Sequence, residues 1–360
     1  MTTVFVKGLG LIGSSLIRAI KLSHLDIKVI GADQNQSSVN YALNHHLIDE
    51  SSADLAKATQ ADFIILATPV SQIIADMQTL ENLPLKKDVI VTDVGSTKQT
   101  IMQAAQGLAK HGITFIGGHP MAGSHKTGVT AGKANLFENA FYFQVSNGNE
   151  QAEQKLHWLL AGTKAKWLTV SPVQHDKIVA QISHLPHIIA SGLVNQTNLT
   201  FQNEPLGMNL AAGGFKSITR IASADPEMWN AILMNNQAVI LQQLDDYQAT
   251  LKALREHLAS GDEAYLKDYF QTAKTSRDKL NVQPTAPTGF FDLFLDLPDQ
   301  VGQLAKITSL LAEAKIGLVN LQIREIREDT NGILQLTFSN EKELTAAASI
   351  LEKQYQLVRR

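Results

Sequence analysis

The chain has no cysteine among its 360 residues. That excludes a disulfide framework, a thiolate zinc site and a cysteine nucleophile. Positive charge is not in excess either. The formal net charge is −3, which argues against a basic nucleic-acid-binding surface. No apolar run is long enough to span a bilayer, so no membrane partner is expected. The N-terminus enters a strand pattern without a charged leader or a cleavage site, and a cytoplasmic location is the default expectation. No dense carboxylate–histidine cluster stands out, and no metal is expected. The length leaves room for two or three domains.

What is present is a strand that runs into glycines. Thr3-Val4-Phe5-Val6-Lys7 reads as a strand, and Gly8-Leu9-Gly10-Leu11-Ile12-Gly13 follows it directly. From Ser14 to Leu22 the apolar residues Leu16, Ile17, Ile20 and Leu22 keep helical spacing. A dinucleotide fingerprint requires this strand–turn–helix context. Gly8 permits the tight turn, Gly10 lets the backbone approach a pyrophosphate, and Gly13 allows close helix–strand packing. Leu11 and Ile12 then lie at a helix N-terminus, whose free N–H groups favour phosphates. A second strand, 28–32, ends at Asp33. Its carboxylate can accept from a ribose diol and would repel a 2′-phosphate. Gln34-Asn35-Gln36 bring no arginine, so NAD is favoured over NADP.

Three parts are expected. Residues 1–170 alternate strand and helix patterns, with further strands near 63–67, 89–92 and 141–143. This is the pattern of a mostly parallel, doubly wound, Rossmann-like α/β sheet. Residues 171–281 turn helical. The stretch 178–195 is nearly all apolar or small, and 228–258 carries a long periodic apolar stripe. A helix apolar around much of its circumference must be buried in its own chain or against a partner. An all-helical domain that forms a homodimer is therefore expected. Residues 282–289, Val-Gln-Pro-Thr-Ala-Pro-Thr-Gly, read as a linker.

Residues 290–360 read βαββαβ. A strand at 291–297 leads to a helix opened by Asp299-Gln300-Val301-Gly302, with Gly317 in the C-cap position. Strands at 318–326 and 333–338 flank the hairpin signal Asp329-Thr330-Asn331-Gly332, and Leu344, Ala347, Ile350 and Leu351 mark a second helix. This order resembles the ACT domain, a small-molecule-sensing module usually tied to amino-acid metabolism.

Candidate chemistry lies in four further segments. Gly117-Gly118-His119-Pro120-Met121-Ala122-Gly123-Ser124 follows the apolar run 113–116, a short strand that the glycine pair is expected to end. His119 would then stand on a loop, where function concentrates. Asp93-Val94-Gly95-Ser96-Thr97-Lys98 follows another strand, at the carboxyl edge where such sheets bind ligands. Ser183-His184-Leu185-Pro186-His187 sets Ser183 and His187 four apart, on one helix face if Pro186 only kinks the helix. Gly213-Gly214-Phe215-Lys216-Ser217-Ile218-Thr219-Arg220 presents Arg220 after a glycine turn, where a guanidinium suits a carboxylate. Trp229 follows shortly after. Taken singly, Ser183, His187 and Trp229 read as packing residues.

Together these segments resemble the prephenate dehydrogenases of tyrosine biosynthesis, over about residues 1–280, with an ACT-like tail of the kind found in some bacterial forms. The resemblance implies NAD-dependent oxidative decarboxylation of prephenate to 4-hydroxyphenylpyruvate. It carries Gly8, Gly10, Leu11, Ile12, Gly13 and Asp33 to NAD. To the substrate site it carries Ser96, His119, Ser124, Ser183, His187, Gly213, Arg220 and Trp229. His125 stands where relatives often have an acidic residue, and Ser217 where some have aspartate. His119 would be the base, since an imidazole titrates near working pH. Ser96 would hold the same hydroxyl, and Arg220 a carboxylate. The tail implies feedback inhibition by L-tyrosine, with Asp299, Gly302 and Asn320 as effector contacts. Gly8 lies so near the start that no fused chorismate-mutase segment is expected ahead of it. Two other readings stay open: arogenate as the substrate, and an NAD-binding sensor, which would need no base.

Overall fold

The computed structural model describes residues 1–123, 126–146, 148–203, 207, 209–281, 291–298, 300–324, 332–338 and 340–358. Within one long helix the chain divides into two compact units, Met1–Ala253 and Leu254–Arg360.

The first unit opens with β1 (Thr3–Lys7), α1 (Leu11–Ser23), β2 (Lys28–Ala32), α2 (Gln36–Asn44), β3 (Glu50–Ser51), β4 (Phe63–Leu66) and α3 (Val70–Leu80). It continues with β5 (Ile90–Asp93), α4 (Gln99–Lys110), β6 (Thr114–Pro120), β7 (Phe141–Val145), α5 (Glu150–Leu159) and β8 (Lys166–Thr169). The strands form one eight-stranded sheet in the order β3-β2-β1-β4-β5-β6-β7-β8. Neighbouring strands are parallel except for β6 and β7. Alternate side chains of each strand face opposite layers. Val4, Val6, Val29 and Ile65 pack with Leu16, Ile17 and Ile20 of α1 on one face. Phe5, Ile30, Ile64 and Val91 pack with Ile73, Met77, Ile101 and Leu108 of α3 and α4 on the other. Both faces of the parallel part of the sheet are thus covered by helices, as a parallel sheet requires.

The glycine pair does not end β6, as expected above; the strand runs through it to Pro120. Thr114, Phe115 and Ile116 pair parallel with β5. Gly117 to Pro120 then pair antiparallel with β7, His119 lying opposite Phe143. Glycine is needed at 118 because a Cβ there would press on the Asp93 carbonyl and the Tyr142 ring. His119 is consequently a strand residue with a fixed direction, not a loop residue.

The helical part contains α6 (Pro172–Val179), a π-helical turn (Ala180–His184), α7 (Leu185–Thr200), α8 (Gly213–Thr219), α9 (Pro226–Asn235) and α10 (Gln237–Ser260). Ser171 and Gln174 close a capping box on α6, with Pro172 in its first turn. The wide turn before Leu185 absorbs Pro186, which lacks an N–H to donate. Of the two covers expected for the apolar helix α7, its own chain supplies only part: Ile182 just before it and Leu199 on it are 60% and 67% exposed. One expectation is corrected. The stripe over 228–258 is broken at Asn236, which leaves helical geometry between α9 and α10.

The second unit carries α11 (Glu263–Asn281), β9 (Phe291–Leu297), α12 (Gln303–Glu313), β10 (Asn320–Arg324), β11 (Gly332–Phe338) and α13 (Glu341–Leu351). Its antiparallel sheet has the order β10-β11-β9. The expected last strand is reduced to a bridge between Leu357 and Leu295. Leu293, Leu295, Leu334, Leu336 and Phe338 pack under Ile307, Leu311, Ala347 and Leu351. The expected C-cap at Gly317 is corrected: Lys315 takes the left-handed conformation after α12, with φ 56. The hairpin turn 329–331 and Asp299 lie outside the described residues. Among the described residues no helix is long and apolar enough to cross a membrane.

Candidate active site

At the carboxyl end of β1 the backbone turns through Gly8, with φ +95, and a Cβ there would strike the Ala67 carbonyl. A Cβ on Gly13 would strike the Gly8 carbonyl, so helix and turn touch. Around Gly10, by contrast, a Cβ would meet open space. Gly10 caps α1, and Leu11 and Ile12 form its first turn. Asp33 accepts from the Leu9 N–H at 2.6 Å and from the Asn35 N–H at 2.8 Å. The carboxylate thereby ties the end of β2 to the glycine turn. Open space at a helix N-terminus, beside a half-buried carboxylate, fits a dinucleotide whose pyrophosphate lies on the helix and whose ribose meets Asp33.

Across the sheet, β5 and β6 bring a second group together. Lys98 and Asp93 form a fully buried ion pair at 2.6 Å. Lys98 Nζ also donates to the carbonyls of Gly95 at 2.8 Å and Thr97 at 3.2 Å. Burial pushes the Lys98 amine below its ordinary value, against the opposing pull of Asp93. Asp93 in turn accepts from the N–H groups of Gly95 at 2.7 Å and Gly118 at 3.0 Å. The loop carrying Ser96 and the strand carrying His119 are therefore pinned to one carboxylate. Ser96 is half-buried in the first of them.

His119 Nδ1 lies 2.9 Å from His175 Nε2. His175 Nδ1 lies 2.8 Å from Asp176 Oδ1. Asp176 also accepts from the N–H groups of Lys98 at 2.7 Å and Gln99 at 2.9 Å, capping α4 from α6. Burial, and then the neighbouring His175, Lys98 and His184, hold the His119 imidazole well below its ordinary value. It is neutral at pH 7. Burial also lowers His175. For Asp176 burial pushes upward, but the hydrogen bonds from His175, Gln99 and Lys98 prevail and keep it below the usual carboxylate range.

A third group lies on the helices. His187 stacks on Trp229 with centroids 3.9 Å apart, and its Nδ1 donates to the Ser183 carbonyl at 2.8 Å. The expected four-residue relation of Ser183 and His187 is thus a backbone hydrogen bond across the π turn. Burial and the nearby Arg220 lower His187, against that hydrogen bond. His184 meets Trp229 edge to face, and burial takes its imidazole to about 4. Trp229 Nε1 is buried without a partner among the described residues. Gly213 opens α8 and forms no turn before Arg220, which follows the helix at its far end and is exposed. Ser124 lies outside the described residues.

Sequence reasoning missed His175, Asp176, Asn236 and the Lys98–Asp93 pair. The hydrogen-bonded Asp176–His175–His119 chain, drawn from two elements, was not foreseen either. Asn236 donates to the Asp176 carbonyl at 2.9 Å and lies 3.3 Å from His184 Nδ1, which explains the helix break. A signal was available: His175-Asp176 sit four and five residues after a strong N-cap at Ser171, on a short helix following the last strand of the sheet. Among the described residues no group of three His, Asp or Glu side chains could hold a metal.

The chain matches the sequence profiles of the prephenate dehydrogenase nucleotide-binding domain over residues 16–169 and of its dimerization domain over residues 171–272. It is 40% identical to the prephenate dehydrogenase of Bacillus subtilis (strain 168), over 97% of this chain and 95% of that one. Among solved structures it resembles the A. aeolicus prephenate dehydrogenase in complex with hydroxyphenyl propionate and NAD+. That likeness has TM-score 0.69 and 27% identity, over 78% of this chain and 98% of that one. It also resembles the Synechocystis arogenate dehydrogenase, with TM-score 0.67 and 32% identity, over 78% of this chain and 100% of that one. With a nucleotide-binding sheet, a helical dimerization segment and a full-length match of this strength, the chain belongs to the prephenate dehydrogenase family of oxidoreductases.

Proposed function

We propose that the protein catalyses NAD-dependent oxidative decarboxylation of prephenate to 4-hydroxyphenylpyruvate. The observation that carries this reading is the His119 imidazole at the carboxyl edge of the sheet, hydrogen-bonded to His175 of a second element and held below its ordinary value by burial. NAD, when bound, supplies the hydride acceptor. Gly8, Gly10, Leu11, Ile12, Gly13 and Asp33 would hold it. His119 takes the proton from the ring hydroxyl as that carbon becomes a carbonyl. Ser96 steadies the same hydroxyl, and loss of CO₂ from the ring carboxylate then yields the aromatic ring. Arg220 holds a substrate carboxylate, with Ser124 and Gly213 as further contacts. His187 and Trp229 wall the other end of the pocket, beside Ser183.

We assign residues 1–170 to nucleotide binding, 171–281 to substrate binding and dimerisation, and 290–360 to regulation, with 282–289 between them. The exposed apolar side chains Ile182, Leu193 and Leu199 support a homodimer; sedimentation as a monomer at micromolar concentration would overturn it. An ACT-like regulatory domain is supported by the βαββα order and by the Leu357 bridge to the outer edge of β9. We propose that it binds L-tyrosine, Gly302 (φ +90) and Asn320 contributing with Asp299. Product analysis tests the main reading. Prephenate and NAD should give 4-hydroxyphenylpyruvate, CO₂ and NADH in equal amounts. Turnover of arogenate alone would move the substrate assignment, and turnover of neither would revive the sensor.

A further inference from the structure

We infer that His175 and Asp176 hold the His119 imidazole in one tautomer, with the proton on Nδ1 and the lone pair on Nε2, so that Nε2 is the atom that takes the substrate proton. This rests on the dehydrogenase reading above. The argument starts at Asp176. An ionised carboxylate only accepts hydrogen bonds, and this one takes the N–H groups of Lys98 and Gln99 together with Gln99 Nε2. The 2.8 Å contact from His175 Nδ1 to Oδ1 is therefore an N–H donated by His175. A neutral imidazole has a single N–H, so His175 Nε2 is an acceptor. Its 2.9 Å contact with His119 Nδ1 is a hydrogen bond only if His119 donates. The opposite tautomer would set two lone pairs against each other with His175 fully buried.

His119 comes from β6, while His175 and Asp176 come from α6, whose register is fixed by the Ser171 cap. The other charged or titratable groups around His119 are Lys98 and Asp93 at the β5–α4 loop and His184 in the π turn. Lys98 and Asp93 already neutralise each other. Asp176, acting through His175, is the anion left to oppose the positive charge on His119 once it takes a proton. In that step an N–H bond forms at Nε2 as the substrate O–H bond breaks, and the electron pair of that bond stays on the oxygen. His175 and Asp176 are positioning residues, since neither touches the substrate in this scheme.

The full-length protein carries the test. In His175→Gln the amide oxygen can replace Nε2 as acceptor; in His175→Leu no acceptor remains. His175→Leu is expected to lower kcat by about 100-fold, with KM changed less than about threefold. His175→Gln should return kcat to within about tenfold of the unaltered protein. Equal losses in both variants, or a rise in KM with kcat kept, would overturn the proposal. A direct readout needs no altered fold: long-range ¹⁵N spectra of the histidine-labelled protein, with the His119 signal assigned by its loss in His119→Asn. A proton on Nδ1 at neutral pH is expected, and one on Nε2 would overturn the proposal. If the unaltered protein fails to turn over prephenate, the dehydrogenase reading falls, while the tautomer is still read from these spectra.

Discussion

Lys98→Met should destabilise the first unit severely. Lys98 and Asp93 are both fully buried, with Nζ and Oδ2 2.6 Å apart. Two carbonyls also accept from Nζ, and two backbone N–H groups donate to the Asp93 carboxylate. A methionine fills nearly the same volume, so packing changes little. What changes is that Asp93 keeps its charge without a cation and the Gly95 and Thr97 carbonyls lose a donor. Removing one partner of a buried pair costs about 3–5 kcal/mol. Asp93→Asn added to Lys98→Met removes the stranded charge and keeps one acceptor for the two amides, so the double variant should lose less than the sum of the single ones. Urea unfolding followed by tryptophan fluorescence is the assay. All three tryptophans of the chain, Trp158, Trp167 and Trp229, lie in Met1–Ala253, so the signal reports that unit. With a slope of about 3 kcal/mol per M, the Lys98→Met midpoint should fall by about 1–1.7 M. A fall worth less than about 1 kcal/mol would refute the claim that the pair is sealed from water.

Further outcomes are open to measurement. Arg220 is exposed, so Arg220→Gln should raise KM for prephenate roughly tenfold with kcat nearly unchanged, and an unchanged KM would remove it from carboxylate binding. Stability should fall with acid earlier than carboxylate protonation alone would bring. His184 has a folded value of about 4 against an ordinary 6.5, so its neutral form stabilises the fold above pH 6.5, and this is lost as the pH falls from 6.5 towards 4. His119, His175 and His187 are lowered too and act in the same direction. The tryptophan-monitored urea midpoint should be lower at pH 5 than at pH 7, and equal midpoints would contradict the burial of these imidazoles. Asn320→Ala should weaken inhibition by L-tyrosine while leaving uninhibited turnover alone; inhibition unaltered in the variant would remove Asn320 from the effector site.

Much of the first half was legible because its signals are local. β1 and β2 fall where expected, and Gly8 and Gly13 sit where turn geometry and contact distance require them, while Gly10 leaves open space at the helix N-terminus. β6 shows the limit of such reasoning. A glycine pair reads as a strand end until a partner is known, and that partner, β7, lies more than twenty residues further on. His175-Asp176 went unnoticed for the same reason, since two polar residues on a short helix look like a solvated face until α4 and β6 are folded against them. Asn236 broke a periodic stripe for a hydrogen bond to a residue sixty positions earlier, which periodicity cannot register. Gly317 was a reasonable C-cap by residue type, but the helix ended two residues sooner and placed the strained conformation on Lys315. The apolar surface of α7 was read as needing cover from its own chain or a partner, and Ile182 and Leu199 show that one chain leaves part of it open.

Most directly at stake is whether this chain oxidises prephenate with His119 as the base. NADH formation should be followed by its near-ultraviolet absorbance with prephenate and NAD, for the unaltered protein and for His119→Asn, at neutral pH. Turnover by the first and a kcat lower by roughly 10²–10⁴-fold in the second, with a smaller change in KM, are expected. Near-normal turnover by His119→Asn would contradict the assignment of the base, and no turnover by the unaltered protein would contradict the assignment of the reaction.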